Sequence, residues 1–483
     1  MNIHRLKELF FKNQYLSQII FKNTSWMILA NIIAKLFKFG MMIVVARELG
    51  PSLFGNFNYV IVLSAMCFVL SDIGLNLLII RNYQNIENKK EFISTGFYIK
   101  LILVIINIFF AIGCCFFIET QLLPVFIIFT VMNIIDSIKQ YNMTIARANL
   151  NQELEAISFI IETSLTSLLG IVFVLKFNSM LYLAFAYLIG SACSFIYIKL
   201  KTMRKIFPLK KLNTQLFLNI IKQMSPFVLS SFLFIALTSV DTLMIKWMIG
   251  SEGLGYYQSG LKLTETLLIL PSVFSISLYP LISKFNSDKK RIPELVQKST
   301  QVTQLIAFPL ISGGLLLAHP LLVLIFSNSF AQGVIAFKYL LIVALITYFN
   351  IIFQQILLAC KYEKKTVKVN CVGFIVNICL NLILIPKYGI IGAAIGSIVA
   401  RALSGLLLTR LLIKHVNVQP FSIKKSLTYL LFSIIMIAAV IASQKLTTNT
   451  ILLIIAGILT YLSLLFLSND SILQKTKDML INR

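Results

Sequence analysis

The chain has 483 residues, of which 58% are apolar and only 13% are charged, and its mean hydropathy is +0.88. This composition excludes a soluble globular protein and predicts an all-α protein that crosses a membrane many times. The net charge of +25 is compatible with nucleic-acid binding, but the distribution of the basic residues argues against a nucleic-acid partner.

Apolar runs recur along the whole chain, and each is long enough to cross a hydrocarbon core of roughly 30 Å as a helix. The sequence predicts fourteen spans, at residues 24–46, 55–80, 93–117, 121–143, 156–176, 179–200, 225–248, 256–282, 299–327, 332–359, 369–385, 389–413, 423–443 and 449–467. Residues 3–20 mix apolar and basic positions, which predicts a helix lying on the membrane surface and not a cleaved signal peptide.

Lysine and arginine alternate between the two sides of the predicted spans. With the N-terminus placed in the cytoplasm, the inner connections hold 31 basic residues and the outer ones hold 5. The positive-inside rule therefore predicts that both termini are cytoplasmic. The seven remaining basic residues lie within spans and require another explanation: Lys35, Lys38, Lys100, Lys139, Lys262, Lys338 and Arg401.

The first span carries two of these lysines near its middle. At about 100° per residue, Asn31, Lys35, Lys38 and Met42 share one helix face. A lysine at the bilayer centre costs roughly 2.5 to 3.5 kcal/mol on insertion scales and normally faces a bundle interior or a wet cavity. The face therefore predicts one wall of a cationic cavity. Two alternatives stay open, namely pairing with carboxylates of neighbouring helices and snorkelling of Lys38 to the surface.

A shift of 200 residues brings the two halves of the chain into register. It pairs Gly50 with Gly250 and Phe57 with Tyr257 in two short outer turns. This predicts two six-helix lobes related as parallel repeats. The expected organisation is an N-terminal lobe at 1–200, a basic inner linker at 201–224, a C-terminal lobe at 225–413, and two further helices with a tail at 414–483. Apart from Lys424 and Lys425 at the start of the first of them, the last two spans carry no charged residue, and they are expected to face lipid on nearly every side.

The seventh and eighth spans carry candidate binding residues for a substrate and a coupling ion. Lys262 either pairs with Glu265 at i,i+3 or faces the lysines of the first span across the lobe interface. Pro271 and Pro280 predict kinks in the eighth span. Asp241 is a candidate proton or sodium site, as is Glu265, although Asp241 is equally well placed to balance a nearby lysine.

Four further spans carry polar groups in the predicted lobe interiors. Arg401, at the centre of the twelfth span, suits a bidentate grip on phosphate or an ion pair inside the C-terminal lobe. In the N-terminal lobe, Asp72 and Glu162 lie in the second and fifth spans, near a polar stripe on the fourth. The pattern of that stripe indicates contacts within the lobe more than it indicates a substrate site. The residues of the stripe are Asn133, Asp136, Ser137, Gln140 and Thr144. Over all spans seven basic residues face five acidic ones, which favours an anionic substrate.

The sequence predicts neither an enzyme nor a cofactor. It contains no GxxxxGK[ST] motif, and its inner loops are too short for an ATPase domain. The three histidines are scattered, and the seven cysteines lack CxxC spacing, so they are expected to be packing residues and not a metal site or a disulfide framework.

Five segments carry a resemblance to a known family. They are ARELGPSLFGNFNYV at 46–60, SDIGLNLLIIR at 71–81, GLKLTETLLILPSVFSISLYPLISK at 260–284, LLVLIFSNSFAQGVIAFKYLLI at 321–342 and NLILIPKYGIIGAAIGSIVA at 381–400. Together they resemble the polysaccharide transporter family, lipid-linked oligosaccharide flippases of the multidrug/oligosaccharidyl-lipid/polysaccharide exporter superfamily. The similarity spans essentially the whole chain.

The resemblance implies two six-helix lobes around a central cavity, with two added helices. It also implies movement of an undecaprenyl-diphosphate-linked glycan from the inner to the outer leaflet by alternating access. Basic cavity residues hold the pyrophosphate in such proteins. By matching helices, that role falls here on Lys35, Lys38 and Lys262, with Asn31 on the same face and Arg47 and Arg401 as secondary candidates. Lysine stands where arginine is expected, so the grip is less directional.

The same resemblance implies a bacterial inner-membrane protein that acts in O-antigen (lipopolysaccharide), capsule or exopolysaccharide synthesis. Its expected partners are the lipid-linked glycan, membrane lipids, and a polysaccharide polymerase and chain-length regulator. Two other functions stay open. One is an ion-coupled exporter of small molecules or drugs, and the other is a membrane polysaccharide polymerase or ligase, which would need a long outer loop.

Overall fold

The computed structural model describes residues 16–206, 213–284 and 291–468, and every regular element in these ranges is helical. The all-α fold class predicted from hydropathy is therefore confirmed. Most of the predicted surface helix at 3–20 and part of the predicted linker at 201–224 lie outside the described residues.

The helices are numbered here in chain order. Their ranges are α1 Leu16–Val69, α2 Leu75–Asn82, α3 Lys89–Cys115, α4 Leu123–Ala148, α5 Gln152–Phe177, α6 Met180–Ile206, α7 Thr214–Met248, α8 Ser251–Leu267, α9 Ile269–Lys284, α10 Arg291–Leu316, α11 Ala318–Phe326, α12 Val334–Ala359, α13 Glu363–Tyr388, α14 Ile390–Leu411, α15 Ile423–Gln444 and α16 Thr450–Leu467. Short 3₁₀ turns follow α2 and precede α12, and a π-helical turn follows α14.

The described ranges contain eleven helices that are long and apolar enough to cross a membrane, or up to twelve if the bent pair α10 and α11 forms one span. The chain is thus a multi-pass membrane protein, while the number fourteen stays a prediction. One reason for the lower count is that the single helix α1 contains the first predicted span and most of the second. A break at Gly50, with φ 71° and ψ 177°, divides it.

The chain forms two compact units, Met1–Leu243 and Met244–Arg483. The lobe boundaries predicted from the sequence stay predictions. The two glycines that the predicted repeat pairs have similar backbone conformations, since Gly250 has φ 106° and ψ −174° and Gly50 has φ 71° and ψ 177°. The paired aromatic residues that follow, Phe57 and Tyr257, are both buried.

In the first unit, α5 packs along α1 and α6, and glycines allow the close approach. A Cβ atom on Gly190 would lie 2.1 Å from the Thr166 hydroxyl, and one on Gly170 would lie 2.7 Å from the sulfur of Met41. A second layer joins α2, α3 and α4, where the buried Tyr141 hydroxyl donates to the Ile93 carbonyl at 2.5 Å.

The second predicted span, 55–80, is not one continuous helix. The helix ends at Val69, turn residues follow, and α2 begins only after Gly74. Ile73 and Gly74 have φ of 42° and 79°, outside the helical region. Hydropathy alone predicted an unbroken helix because the residues on both sides of the break are apolar.

In the second unit, α12 is the most buried of the candidate spans, and α13 and α14 form a tight pair. The predicted kink at Pro271 is instead a break at Leu268, between α8 and α9. The displacement follows from the chemistry of proline, which has no N–H and so leaves the carbonyl four residues before it without a helical donor.

The last two helices each bury only one narrow stripe. On α15 it comprises Tyr429, Ser433, Met436 and Val440, and on α16 it comprises Leu453, Gly457, Tyr461 and Leu465. The spacing of three to four residues places each set on one face, and α15 contacts α10 and α16. Leucine and isoleucine on the other faces are exposed, as predicted for helices that face lipid.

Candidate functional site

The first unit contains a polar pocket of about 450 Å³. It lies between α1, the break before α2, α4 and α5, and it holds four carboxylates within an otherwise apolar helical unit. The lining residues are Met27, Asn31, Asp72, Asn76, Leu77, Ile80, Asp136, Lys139, Gln140, Met143, Thr144, Arg147, Glu155, Phe159 and Glu162.

Lys139 is the centre of the most buried charge cluster in the pocket. Its ammonium lies 2.5 Å from Asp136 and 2.6 Å from Glu162, and its side chain is only 4% exposed. The Ser191 hydroxyl of α6 also donates to Asp136. The cluster therefore joins three helices, and one ammonium is shared between two carboxylates.

Lys100 stabilises the break that precedes α2. Its fully buried ammonium donates to the Ser71 carbonyl at 2.7 Å and lies 3.6 Å from Asp72. The Asp72 carboxylate also accepts from the backbone N–H of Asn76 at 3.3 Å, so it caps the first turn of α2. A broken helix inside a membrane protein needs such partners, because lipid cannot satisfy the freed backbone groups.

A second set of ion pairs lies at the end of the pocket formed by the α4–α5 connection. Arg147 binds Glu155 through two nitrogens, one of them, Nε, at 2.9 Å. Nearby on α5, Glu153 pairs with the buried Lys22 of α1 at 3.2 Å. These contacts tie the ends of three helices together.

The polar stripe predicted on α4 divides into two groups. Asn133 donates to the Ser64 carbonyl at 2.9 Å and Ser137 to the Ser71 carbonyl at 3.4 Å, which are the contacts within the lobe that the sequence favoured. The other members of the stripe, Asp136, Gln140 and Thr144, line the pocket. The stripe was therefore visible in the sequence, but the division between packing and pocket was not.

One residue of the face predicted on the first span lines this pocket, and the prediction that the face borders a cationic cavity stays a prediction. Asn31 lines the pocket, and Met42 is buried. Lys35 is exposed, and it makes no ion pair with any carboxylate in the described part of the chain. Lys38 is also exposed, lies 6.0 Å from the centre of the Tyr187 ring, and is within electrostatic range of Glu162.

The candidates of the second unit have different surroundings. Lys262 and Glu265 form the ion pair that their spacing predicts, at 3.0 Å on α8. Arg401 on α14 is half-buried, and the Asn350 amide donates to its backbone carbonyl at 3.0 Å. In the first unit, Asp241 on α7 is half-buried and Arg47 on α1 is exposed. The proposed meeting of Lys35, Lys38 and Lys262 stays a prediction.

The side chains of this site are suited to binding a polar ligand. Among the described residues, no group of three or more His, Cys, Asp and Glu side chains has a geometry suited to a metal ion. The seven cysteines are free thiols, with the Cys67 and Cys114 sulfurs 4.0 Å apart. Paired charges, amides and an exposed lysine can hold a polar or anionic ligand inside an apolar protein.

The fold is shared with a solved structure. The chain superposes on a structure described as "Lipid II flippase MurJ, inward closed conformation" with a TM-score of 0.77 and 18% identity, over 91% of this chain and 97% of that one. At that identity the likeness establishes the fold alone.

The sequence comparisons define the family. Residues 20–286, more than half of the chain, match the family described as "Polysaccharide biosynthesis protein". The chain belongs to this family, which confirms the resemblance found in the sequence. A second match, to the MatE family, covers residues 226–383.

Two curated relatives are similar to this chain. The "Capsular polysaccharide biosynthesis protein CapF" of Staphylococcus aureus is 24% identical over 384 residues, which are 77% of this chain and 94% of that protein. The "Probable flippase AglR" of Haloferax volcanii is 26% identical over 185 residues. This second match spans 38% of this chain and only 39% of AglR.

Proposed function

We propose that this protein is a flippase that moves an undecaprenyl-diphosphate-linked oligosaccharide repeat unit across the bacterial cytoplasmic membrane. The repeat unit delivered to the outer leaflet would be used in O-antigen, capsule or exopolysaccharide synthesis. The proposed protein is a transporter and not an enzyme, and both of its termini are cytoplasmic. A polymerase and a chain-length regulator are proposed to act on the lipid-linked unit after it has been moved.

The observation that carries the proposal is the contrast between Lys35 and two buried lysines of the first unit. Lys100 and Lys139 are buried, and each has a carboxylate within 3.6 Å. Lys35 lies in an equally apolar helix but has no such partner in the described part of the chain. An ammonium at membrane depth is costly without a counter-charge or water. A diphosphate head group supplies that counter-charge.

The neighbouring basic residues extend the same site. Lys38 lies one turn further along α1, and Lys262, Arg47 and Arg401 are the remaining proposed contacts to the diphosphate. Asn31 would bind next to them as a neutral donor. Asp241 and Glu265 are proposed to bind the coupling ion, with Glu265 releasing Lys262 when it is neutralised.

The comparisons support the lipid-linked cargo. One relative is named a probable flippase and another a capsular polysaccharide biosynthesis protein. The fold is shared with a lipid II flippase, and at 18% sequence identity this likeness concerns the fold alone.

The direct test is lipid translocation by the purified protein in proteoliposomes. The probe is a fluorescent undecaprenyl-diphosphate-linked oligosaccharide, and its accessibility to an external quencher is followed with time. We expect the protein to accelerate exchange of this lipid between leaflets, and not that of a fluorescent phosphatidylcholine. Equal rates in empty and protein-containing vesicles would contradict the proposal.

A second candidate function is export of small molecules, because residues 226–383 match the MatE family. The excess of basic residues in the predicted spans disfavours organic cations as substrates. Efflux of a cationic dye from the same proteoliposomes distinguishes the two functions. Dye efflux without lipid translocation would favour the exporter.

A further inference from the structure

The pocket of the first unit is more than a set of ion pairs, because it has the volume of a ligand site. Small-molecule sites typically enclose roughly 300 to 1,000 Å³, and this pocket encloses about 450 Å³. That space accommodates one or two sugar rings. The charges and hydrogen-bonding groups of its lining residues determine which class of ligand it can bind.

The carboxylates of the pocket outnumber the cations that pair with them. Asp72 pairs with Lys100, Asp136 and Glu162 share Lys139, and Glu155 pairs with Arg147. Four carboxylates therefore face three cations, since Lys38 is assigned to the diphosphate. An anionic ligand would add a further uncompensated charge, which is costly at low dielectric constant. A neutral ligand adds none.

The carboxylates nevertheless keep the capacity to bind hydroxyl groups. An ionised carboxylate has about four lone-pair positions, and a single ion pair occupies only part of them. Hydroxyl groups of a ligand can donate to the remaining positions without displacing the lysine or the arginine.

The neutral lining residues offer further hydrogen bonds. The Asn76 carbonyl oxygen is buried and has no partner in the described part of the chain. Asn31 uses its amide nitrogen on the Met27 carbonyl at 2.7 Å, and the contacts of the described residues leave its oxygen available. Gln140 adds a third amide, and Phe159 provides a flat apolar surface. Amides, acceptors and an aromatic face suit a pyranose ring with an acetamido group.

The pocket also lies where a sugar should lie if the diphosphate binds as proposed. Asn31 and Lys35 are four residues apart on α1, which is about 6 Å along the helix axis. The first sugar of a lipid-linked glycan is bonded directly to the diphosphate. A phosphate at Lys35 therefore places that sugar beside Asn31.

We propose that this pocket binds the sugar nearest the diphosphate and selects a neutral or N-acetylated residue over a uronic acid. The inference rests on the proposed flippase function, since it names the part of the cargo that the first unit holds. It assigns Gln140 and Asn76 to the sugar and leaves Lys35 to the phosphate.

The test separates sugar binding from flipping. Binding of methyl N-acetylglucosaminide and of methyl glucuronide to the purified full-length protein is measured by saturation-transfer NMR. We expect a signal from the neutral glycoside and a signal at least about tenfold weaker from the glucuronide, because the glucuronide adds an uncompensated buried charge. The variants Q140L and N76L are expected to lose most of the signal with the neutral glycoside.

Two variants serve as controls. N142A removes a side-chain amide of α4 that donates to the backbone carbonyl of Ile138 in the same helix. This variant should keep the signal. K35A should also keep it while losing lipid translocation, so a failed flippase assay does not remove this readout. Thermal melting of each variant confirms that it is folded.

Three results would overturn the inference. One is the absence of a signal from the neutral glycoside with wild-type protein. Another is equal binding of the glucuronide. The third is normal sugar binding by the Q140L and N76L variants together with a shifted pH or sodium dependence of flipping. That result would assign the pocket to a coupling ion.

Discussion

The hydroxyl of Tyr348 donates a 2.7 Å hydrogen bond to the carbonyl of Leu267, the one carbonyl of that turn that Pro271 leaves without its helical donor. The same arrangement occurs a second time in this unit, where Tyr461 donates to Leu305 at 3.0 Å, four residues before Pro309. Each tyrosine is at least 95% buried. The two prolines are therefore tolerated because a neighbouring helix supplies the missing donor.

The first prediction concerns the Tyr348 hydroxyl. Y348F leaves the Leu267 carbonyl buried without a partner, which costs about 1 to 3 kcal/mol. We expect a lower melting temperature in detergent. Y339F is the matched control, because that hydroxyl on the same helix makes no hydrogen bond in the described part of the chain. Equal melting of both variants would show that the Leu267 carbonyl finds another donor.

The second prediction concerns the repeated glycine turns. Gly50 and Gly250 have φ of 71° and 106° with ψ near 180°, a region open almost only to glycine. A Cβ atom at either position would contact nothing within 4 Å, so any cost comes from the backbone alone. G50A and G250A are each expected to lose about 1 to 3 kcal/mol of unfolding free energy.

The control for these variants is G40A. Gly40 lies within α1, lacks a positive φ, and likewise has no atom within 4 Å of the place that an alanine methyl would occupy. Alanine there should stabilise the helix by up to about 1 kcal/mol. Chemical unfolding measures all three variants, and stabilisation by G50A or G250A would refute the backbone argument.

The third prediction concerns Lys139. K139M leaves Asp136 and Glu162 facing each other without their shared cation, and breaking a buried ion pair this way costs about 3 to 5 kcal/mol. We expect poor expression and early melting. Neutralising both acids in the triple variant K139M/D136N/E162Q should restore most of the stability. A K139M protein as stable as the wild type would mean that the cluster contributes little.

Much of this architecture could be predicted from the sequence, because hydropathy and repeats are local signals. The equivalence of Gly50 and Gly250 followed from a 200-residue shift, and both glycines have the expected turn conformation. The pair of Lys262 with Glu265 was one of the two alternatives that helical spacing offered for Lys262.

Contacts between distant helices were less predictable. Nothing in the sequence indicates that Lys100 of α3 reaches the Ser71 carbonyl, because that requires both the break at 70–74 and the packing of α3 beside it. The polar stripe on α4 was recognised, but only tertiary structure shows that Gln140 lines a pocket while Asn133 binds Ser64. Side-chain direction within a lobe depends on neighbours that hydropathy does not identify.

The central claim, that lysines of both halves hold the diphosphate, is tested most directly by lipid translocation with K35A, K38A and K262A measured singly. We expect each to slow flipping of undecaprenyl-diphosphate-linked glycan by about tenfold or more, the effect of losing one charge-assisted hydrogen bond. K338A, which removes an exposed lysine of α12 outside the proposed site, should flip at the wild-type rate. Undiminished flipping by all three variants would contradict the account.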